Sequence, residues 1–250
     1  MTLRIGRREE VSDLKRGTLG VLIGDKHTLK DWGLGWLAVT LGFPEPKTYE
    51  QDVPCADGTI DLTEAMTGGD VKYKNRSLSL EFEVPDRDFG DWANKVSEIA
   101  NYLHGQKMKI ILDNDKAFYY IGRLTVDAEK TDREESKLVL SGDVEPYKYE
   151  LCGSLEDWLW DPFNFNNGII RNYKDLEVNG TRTLVIRGRR KKVIPVFECS
   201  TAMTVSFDGL DYNLPAGRSK VFDIYLGEGD NELVFTGNGT VSVDYRGGML

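Results

Sequence analysis

Asn-Gly and Asp-Gly dipeptides divide the second half of the chain, and their spacing restricts the fold more than any other feature. They occur at 167–168, 179–180, 208–209 and 238–239, and each tolerates the positive φ angles of a tight hairpin turn. The runs between them show little helical periodicity. We predict strands at 184–186, 193–198, 203–207, 221–225, 233–235 and 241–245. Short strands with turns at this spacing predict an antiparallel β-sandwich.

The first half of the chain has the pattern of strands around one helix. Apolar and polar residues alternate over 71–84, with an interruption near Asn75, which predicts a half-buried strand. Apolar residues then recur at helical spacing between an acidic start and Gly105, so we predict an amphipathic helix over 88–104. The charged segment EKTDREES joins two of the strands that follow, and this predicts a β meander with a long polar hairpin tip. These strands are predicted at 108–112, 117–127 and 137–144.

A further hairpin is predicted in the segment VPCADGTIDLTE, residues 53–64. Asp57-Gly58 fits a tight two-residue turn, and the alternation of Ile60, Asp61 and Leu62 fits a strand after it. Hairpins of this kind occur in enzymes and in structural proteins alike. The segment therefore predicts local structure and leaves the function open.

The pattern changes near residue 150, which predicts two domains, 1–150 and 151–250. A chain of 250 residues could form one large β domain or two ordinary ones, and either would bury a sizeable core. We predict a mainly β protein. Its N-terminal domain is an α+β unit, a β-sandwich or barrel-like fold with one helix and a long hairpin, and its C-terminal domain is an antiparallel β-sandwich.

Composition argues against several classes of function. Lys and Arg total 32 against 41 Asp and Glu, a formal charge of −9, so the protein as a whole should repel nucleic acid and anionic membranes. The start of the sequence has no apolar run of signal-peptide length, and no later segment has the apolar length of a membrane helix. We expect a soluble protein made in a cytoplasm. Cys55, Cys152 and Cys199 lie far apart and are odd in number, which favours reduced thiols over a disulfide framework.

Residues able to carry catalysis are few. The only histidines, His27 and His104, have no metal-ligand spacing. We interpret His104 as a favourable charge near the C-terminus of the predicted helix. His27 could pair with Asp25 or Asp31, but no activated nucleophile accompanies it. We therefore predict no catalytic, cofactor-binding or metal-binding residue, and no enzymatic activity.

Three other features have both a functional and a structural interpretation. Residues 33–38 match a dinucleotide-binding fingerprint, but the required strand and helix are missing around them, and we predict a loop. The basic run 187–192 lacks interleaved aromatic residues, so we favour a solvated hairpin tip, or a contact with an acidic neighbouring subunit, over nucleic-acid binding. A cluster of aromatic residues could form a sugar-binding face, but a packing role is favoured. The cluster consists of Trp158, Trp160, Phe163 and Phe165.

A set of motifs in a fixed order closely resembles the phage distal tail protein (Dit) family. One departure is Cys55-Ala56, which stands where we expect a Gly-containing turn such as Pro-Gly-x-Asp-Gly. The order of the motifs is more specific than any one of them, and together they cover most of the chain. They are GDKH at 24–27, DWGL at 31–34, PEPKT at 44–48, VPCADGTIDLTE at 53–64, YKNR at 73–76, PYKY at 146–149, GNG at 237–239 and YRGG at 245–248.

The resemblance implies a structural protein of a siphovirus virion, with a phage of Gram-positive bacteria as the expected source. It implies an N-terminal domain that closes into a hexameric ring, single or stacked, and a C-terminal galectin-like sandwich on the outside of that ring. Such a hub of the tail tip or baseplate would connect the tail tube and tape measure proteins to tail-tip and receptor-binding proteins used in host attachment. Assembly would take place in the host cytoplasm. DNA would only pass through the channel, and an acidic protein suits that passage.

Two other functions remain as alternatives. The C-terminal sandwich could belong to a carbohydrate-binding protein that uses Tyr212, Tyr225 and Tyr245, which we predict to be exposed. Galectin sugar sites usually rely on a Trp with His, Asn and Arg neighbours, and residues 166–250 contain neither Trp nor His. A sugar site is therefore expected to be degenerate or absent. A cell-wall hydrolase would need a specific pair of carboxylates, and the sequence singles out none.

Overall fold

The computed structural model describes residues 18–131, 136–157 and 168–250. The chain divides into two compact units. The first unit runs to Asp115 and resumes over Tyr120–Pro146, and the second unit consists of Lys116–Tyr119 and Tyr147–Leu250. The domain boundary near residue 150 stays a prediction. The aromatic cluster at 158–165 and the hairpin tip at 132–135 lie outside the described residues.

In the described part of the first unit, an antiparallel sheet packs with one helix. Seven strands follow the order β2-β1-β7-β8-β9-β6-β3, and β4 pairs with β5 in a separate two-stranded sheet. The predicted β8–β9 hairpin is present, with its ladder extending to the pair Lys130 and Ser136. The elements are β1 Val21–Ile23, β2 Lys26–His27, β3 Gly35–Leu41, β4 Glu50–Asp52, β5 Thr59–Asp61, β6 Arg76–Glu83, α1 Phe89–Leu103, β7 Lys107–Leu112, β8 Phe118–Lys130 and β9 Ser136–Val144.

Alternation along the strands explains which face of this sheet is covered. In β6, Leu78, Leu80 and Phe82 are fully buried, and the residues between them are exposed or half-buried. Ile99 and Leu103 of α1 belong to the same core. Each fully buried side chain of this size contributes about 1.5–3 kcal/mol relative to exposure. Apolar side chains recur at every second residue of the strands and about every 3.6 residues of the helix. These two apolar faces therefore pack together in one cluster.

The helix begins and ends close to its predicted limits of 88 and 104. The Asp88 carboxylate caps its start by accepting hydrogen bonds from the N–H groups of Gly90 (2.8 Å) and Asp91 (3.3 Å). At the other end, Gly105 has a φ of 71°, the left-handed conformation that stops a helix. Local signals thus fixed both ends of α1.

The second unit is also antiparallel. Its main sheet has the order β14-β13-β16-β12-β15, and β11 pairs with β16 outside that path. The short strand β10 pairs with β17 and with Phe118 and Tyr119. The strands are β10 Lys148–Glu150, β11 Leu176–Gly188, β12 Val196–Cys199, β13 Met203–Phe207, β14 Leu210–Leu214, β15 Gly217–Lys220, β16 Gly229–Asp244 and β17 Gly248–Met249. The mainly β class is confirmed, and the galectin-like character stays a prediction.

Three strand predictions in the second unit are confirmed as strands but have the wrong bounds, and a fourth is wrong. The predicted strands 233–235 and 241–245 are parts of the single strand β16, and the predicted strand 184–186 is the end of the longer β11. Residues 221–225 form a turn rather than a strand, and β15 precedes them. The strand bounds were wrong because two of the Asn-Gly dipeptides do not form turns. Asn179-Gly180 lies inside β11, opposite Gly237 and Asn238 of β16.

Glycine is required where Asn179-Gly180 of β11 lies opposite Gly237 and Asn238 of β16. Gly180, Gly237 and Gly239 have φ values of 79°, 153° and 142°, so each lies in a region that favours glycine. A Cβ on Gly237 would stand only 2.7 Å from the Met203 Cβ, whereas a Cβ on Gly180 would meet nothing within 4 Å. The glycines therefore let two strands cross an irregular point and let β13 approach closely, without ending the strands.

We expect Gly237→Ala to destabilise the protein more than Gly180→Ala. Both changes place a Cβ on a backbone that disfavours it, which costs about 1–2 kcal/mol. Gly237→Ala adds a clash with Met203, worth roughly 1–3 kcal/mol more. Urea unfolding of both variants, followed by circular dichroism, measures the difference. Equal losses in the two variants would show that the approach of β13 is not what requires Gly237.

Candidate functional site

His27 occupies a structural network rather than a reactive one. Its ring is buried, and its Nδ1 accepts hydrogen bonds from the N–H groups of Leu29 (3.2 Å) and Lys30 (3.3 Å). The proton must then be on Nε2, which lies 3.2 Å from the Asp113 Oδ2. The predicted pairing of the ring with Asp25 or Asp31 is wrong, because the Asp31 carboxylate accepts the backbone N–H of His27 instead.

His104 is the C-terminal capping residue of α1, as expected for a structural histidine. Its Nδ1 accepts a hydrogen bond from the backbone N–H of Val126 at 3.1 Å. This hydrogen bond ties the end of the helix to β8, and the interpretation of His104 as a favourable charge near the helix end stays a prediction.

The three cysteines are free. Cys55 is exposed, Cys152 is half-buried and Cys199 is buried, and burial raises the pKa of the Cys199 thiol. Within 18–131, 136–157 and 168–250, no group of three or more His, Cys, Asp and Glu residues could hold a metal ion. No helix in the same ranges is long and apolar enough to cross a membrane.

The candidate dinucleotide fingerprint at 33–38 is part of the first sheet. Gly33 has a φ of 66°, and Gly35 begins strand β3. The predicted loop is therefore wrong for 35–38. A dinucleotide site needs a helix N-terminus at this position to face the pyrophosphate, and a strand presents no such group of N–H donors.

Part of the basic run 187–192 folds back onto its own unit, so the predicted solvated tip is wrong for Arg189 and Lys191, whereas Arg190 is exposed. Only 12% of the Arg189 side chain is exposed. The Lys191 ammonium donates to the Tyr149 hydroxyl at 2.9 Å and lies 4.2 Å from the centroid of the same ring. Lys192 lies 4.6 Å from the Tyr225 ring centroid. Arg189, Lys191 and Lys192 therefore already interact with acidic or aromatic side chains of the same protein.

Glu150 is the centre of a buried charge cluster in the second unit. Its carboxylate and the Arg171 guanidinium are each 7% exposed, and Nη2 of Arg171 lies 2.8 and 2.6 Å from the two carboxylate oxygens. Arg189 donates to Oε1 from Nε at 2.9 Å. The Gly247 N–H donates to Oε2 at 3.0 Å. One carboxylate thus neutralises parts of two arginines from different segments and receives hydrogen bonds on both oxygens.

The surroundings of this cluster shift the pKa of its members. Burial tends to lower the pKa of Arg171, but the Glu150 carboxylate and the Tyr245 hydroxyl raise it above its ordinary value. Burial raises the pKa of Tyr245, against the lowering effect of Arg171. The Tyr245 hydroxyl accepts from the Arg171 Nε at 2.9 Å and donates to the Arg187 carbonyl at 3.0 Å. Tyr245 is therefore a buried structural residue, and the prediction that it is exposed is wrong.

The sequence carried only a weak signal for this cluster. Glu150 follows the PYKY motif, and Gly247 lies in the YRGG motif, but 97 positions separate the two residues. Arg171 stood in no motif. Since the cluster is filled by the protein's own groups, we interpret it as an element that stabilises the second unit.

The most exposed apolar surface of the first unit lies on an arm, which we define as residues 43–75. The arm begins with a backbone ladder in which the Lys47 N–H donates to the Lys72 carbonyl at 2.7 Å. It continues into the β4–β5 hairpin, whose strand residues are all exposed. Six of the eight exposed large apolar residues described in the first unit lie on it. They are Phe43, Tyr49, Val53, Ile60, Leu62 and Met66.

The turn of this arm differs from the predicted one. Residues 53–58 form a loop between β4 and β5, so the two-residue turn at Asp57-Gly58 is wrong. Cys55 has a φ of 66° and Gly58 a φ of 79°. Cys55 thus has the left-handed conformation that favours glycine, at the place where the resemblance led us to expect one.

A hairpin with this surface needs a partner. An isolated two-stranded hairpin is marginally stable in water. Phe43 is 85% exposed and Met66 is 95% exposed, and several exposed apolar side chains on one segment mark an interaction surface. The arm is therefore the candidate functional site of the first unit.

The second unit has a candidate surface of its own, a groove of about 590 Å³ near the β13–β14 hairpin. Tyr212 and Tyr225 line it, so two of the three tyrosines singled out in the sequence do lie together. The sequence analysis missed Phe222, which also lines the groove, because it was assigned to a strand.

The fold is shared with a known phage protein. The chain matches the crystal structure of SPP1 Dit (gp 19.1), described as a paradigm of hub adsorption apparatus in Gram-positive infecting phages. The TM-score is 0.60 and the sequence identity 14%, and the match covers 93% of this chain and 100% of that chain. The predicted resemblance to Dit is thus confirmed at the level of the fold. No protein-family model and no curated protein sequence matches the chain.

We expect Glu150→Gln to destabilise the protein by about 3–5 kcal/mol, because it leaves two buried arginines without their counter-charge. Urea unfolding measures the loss. Glu177→Gln is the matched control, since Glu177 is an exposed carboxylate of the same unit, and its effect should stay within about 0.5 kcal/mol. A Glu150→Gln loss as small as that of the control would contradict the assigned role of the cluster.

The raised pKa of Tyr245 predicts a loss of stability in alkaline solution. In the unfolded chain a tyrosine ionises near pH 10, whereas folded Tyr245 keeps its proton to higher pH. The stabilisation is therefore fully present below about pH 10 and is lost as the pH rises through the folded-state pKa. Tyr245→Phe should show a smaller decline of unfolding free energy between about pH 9 and pH 11. Identical slopes in both proteins would contradict the prediction.

Proposed function

We propose that this chain is a structural component of a phage tail tip, the hub that joins the tail tube to the proteins of the tip. The observation that carries the proposal is the fold match to SPP1 Dit over nearly all of both chains. The absence of a convergent reactive group among the described residues is compatible with a structural role. The protein would act by holding other proteins in register, without a chemical step.

In this proposal the first unit closes into a ring of six copies through its arm. The arm carries exposed apolar side chains, and β2 and β3 are the ends of the first sheet. Sheet ends with open backbone groups invite pairing with another chain. A head-to-tail contact between identical subunits closes into a ring when its rotation permits, and every subunit then uses the same two surfaces.

The proposed partners follow from the position of such a hub. The ring would contact tail tube and tape measure proteins on one side and tail-tip or receptor-binding proteins on the other. DNA would pass through the channel without being bound, which suits a chain of formal charge −9. The virion is the proposed location, with assembly in the cytoplasm of the bacterial host.

A carbohydrate-binding function is the second candidate. The groove of the second unit supports it, since Tyr225 and Phe222 are exposed aromatic residues beside carboxylates. Burial of Tyr245 removes one of the three residues on which that function was based. The hub remains the function that we propose.

We expect mass photometry at micromolar concentration to find a hexamer or a pair of stacked hexamers. The double variant Phe43→Asp, Met66→Asp should be mainly monomeric with an unchanged circular dichroism spectrum. Each side chain is expected to contribute about 2 kcal/mol per contact at the centre of an interface, and a buried unpaired carboxylate opposes association further. The double variant Ile170→Asp, Val185→Asp is the matched control, since both residues are exposed in the second unit, and it should still assemble.

A wild-type protein that stays monomeric across concentration and salt would refute the hub. A hexamer that survives the arm variant and dissociates in the control would place the ring contact in the second unit instead. Fragments provide an independent check by light scattering. Residues 1–150 should assemble, and residues 147–250, which retain Glu150, should be a folded monomer.

A further inference from the structure

The groove of the second unit is apolar at its base and exposed at its rim. Phe207 is buried, and its ring packs edge-on against Tyr225 with centroids 5.8 Å apart. Tyr225 is 40% exposed, and Leu210 and Phe222 are 61% and 77% exposed. Two large apolar side chains thus stand open to solvent at the mouth of a groove that already has an aromatic wall.

The charged side chains that line this groove are all carboxylates, and Lys192 lies beside it against the Tyr225 ring. Asp208, Asp211 and Asp223 line it, and none of the described residues that line it is basic. The Asp211 carboxylate is held by the Ser206 hydroxyl. Three carboxylates around an apolar surface attract a cation and repel an anion.

The Tyr225 ring already contacts a cation of the protein itself. The Lys192 ammonium lies 4.6 Å from its centroid, within the range of a cation–π interaction. This contact shows which chemistry the wall of the groove accommodates. Aromatic faces and carboxylates together are suited to an ammonium or guanidinium group that carries apolar neighbours.

An open sheet edge runs beside the groove. Among the residues that the structure describes, β14 is the last strand of its sheet and pairs with β13 alone. The hairpin turn is Asp208-Gly209, so Phe207 and Leu210 exchange backbone hydrogen bonds, and so do Val205 and Tyr212. The N–H and C=O groups of Asp211 and Asn213 therefore point away from β13, toward the free edge.

We propose that the groove and this edge together bind an extended, basic segment of another protein. The segment pairs with β14 as an additional strand, its apolar side chains contact Leu210 and Phe222, and its Lys or Arg side chains face Asp211 and Asp223. Strand addition supplies affinity through backbone hydrogen bonds and specificity through alternate side chains. Such binding is separate from the hub function and does not require ring formation.

A neutral saccharide fits these observations less well. Aromatic rings can stack on sugars, but a neutral ligand makes no use of three carboxylates of one sign or of an unpaired strand edge. A saccharide bearing phosphate would be repelled. The charge and the edge therefore favour a polypeptide, and sugar binding becomes an outcome that would overturn the proposal.

The test uses the full chain and two fluorescein-labelled peptides, KVKYKVKG and its charge-inverted counterpart EVEYEVEG. Fluorescence anisotropy in about 0.15 M salt, where weak long-range attraction is screened, should show at least about tenfold tighter binding of the basic peptide. Phe222→Ser and the double variant Asp211→Asn, Asp223→Asn should each weaken that binding by about tenfold or more. Hydrogen exchange of residues 210–214 should slow when the basic peptide is bound.

Matched controls separate the groove from the general acidity of the chain. The double variant Glu177→Gln, Glu232→Gln also removes two exposed carboxylates of the second unit, and Val185→Ser removes an exposed apolar side chain. Both controls should bind the basic peptide as the wild type does. Equal binding of both peptides, equal losses in the controls, or protection outside 210–214 would overturn the proposal. Binding of chitotetraose in the groove without binding of the basic peptide would overturn it in favour of a saccharide.

Discussion

The buried carboxylate of Glu150 is the interaction on which the second unit depends. It joins Arg171, Arg189 and the backbone of Gly247, which belong to three separate segments of the chain. Buried ions are expensive to remove from water and are tolerated only when they are paired and hydrogen-bonded. The cluster therefore requires the correct arrangement of these segments, because any other arrangement leaves a buried charge without a partner.

The first unit depends on apolar packing, whereas the second depends on a buried charge cluster. This contrast decides how well the secondary structure of each unit could be predicted from the sequence. The helix α1 and the strands β6 to β9 were predictable because their signals are local: alternation, helical spacing and an Asp cap. Errors arose where a distant residue changed the meaning of a local signal. Asn238-Gly239 resembled a turn, but the facing strand β11 holds it in a continuous ladder. Asp113 is the ring partner of His27, and 86 positions separate the two.

The candidate surfaces were only partly accessible to sequence reasoning for the same reason. The segment 53–64 was recognised as a hairpin, but its exposure depends on the absence of any covering element, which no local pattern reports. Tyr225 and Tyr245 looked alike in the sequence, yet one lines a groove and the other is buried beside Arg171. The basic run 187–192 looked solvated because its partners, Glu150 and Tyr149, lie about forty positions earlier.

The long ladder between β11 and β16 has a consequence for the order of folding. Its 13 residue pairs join segments that are far apart in the chain, and β12 and β13 also depend on β16 for pairing. Contacts of such high sequence separation form slowly, because loop-closure entropy must be overcome before any of them stabilises the structure. During synthesis the ribosome must release residues up to at least 244 before this sheet can form. The first unit, whose described contacts are complete by residue 146, can fold while the remainder is still being translated.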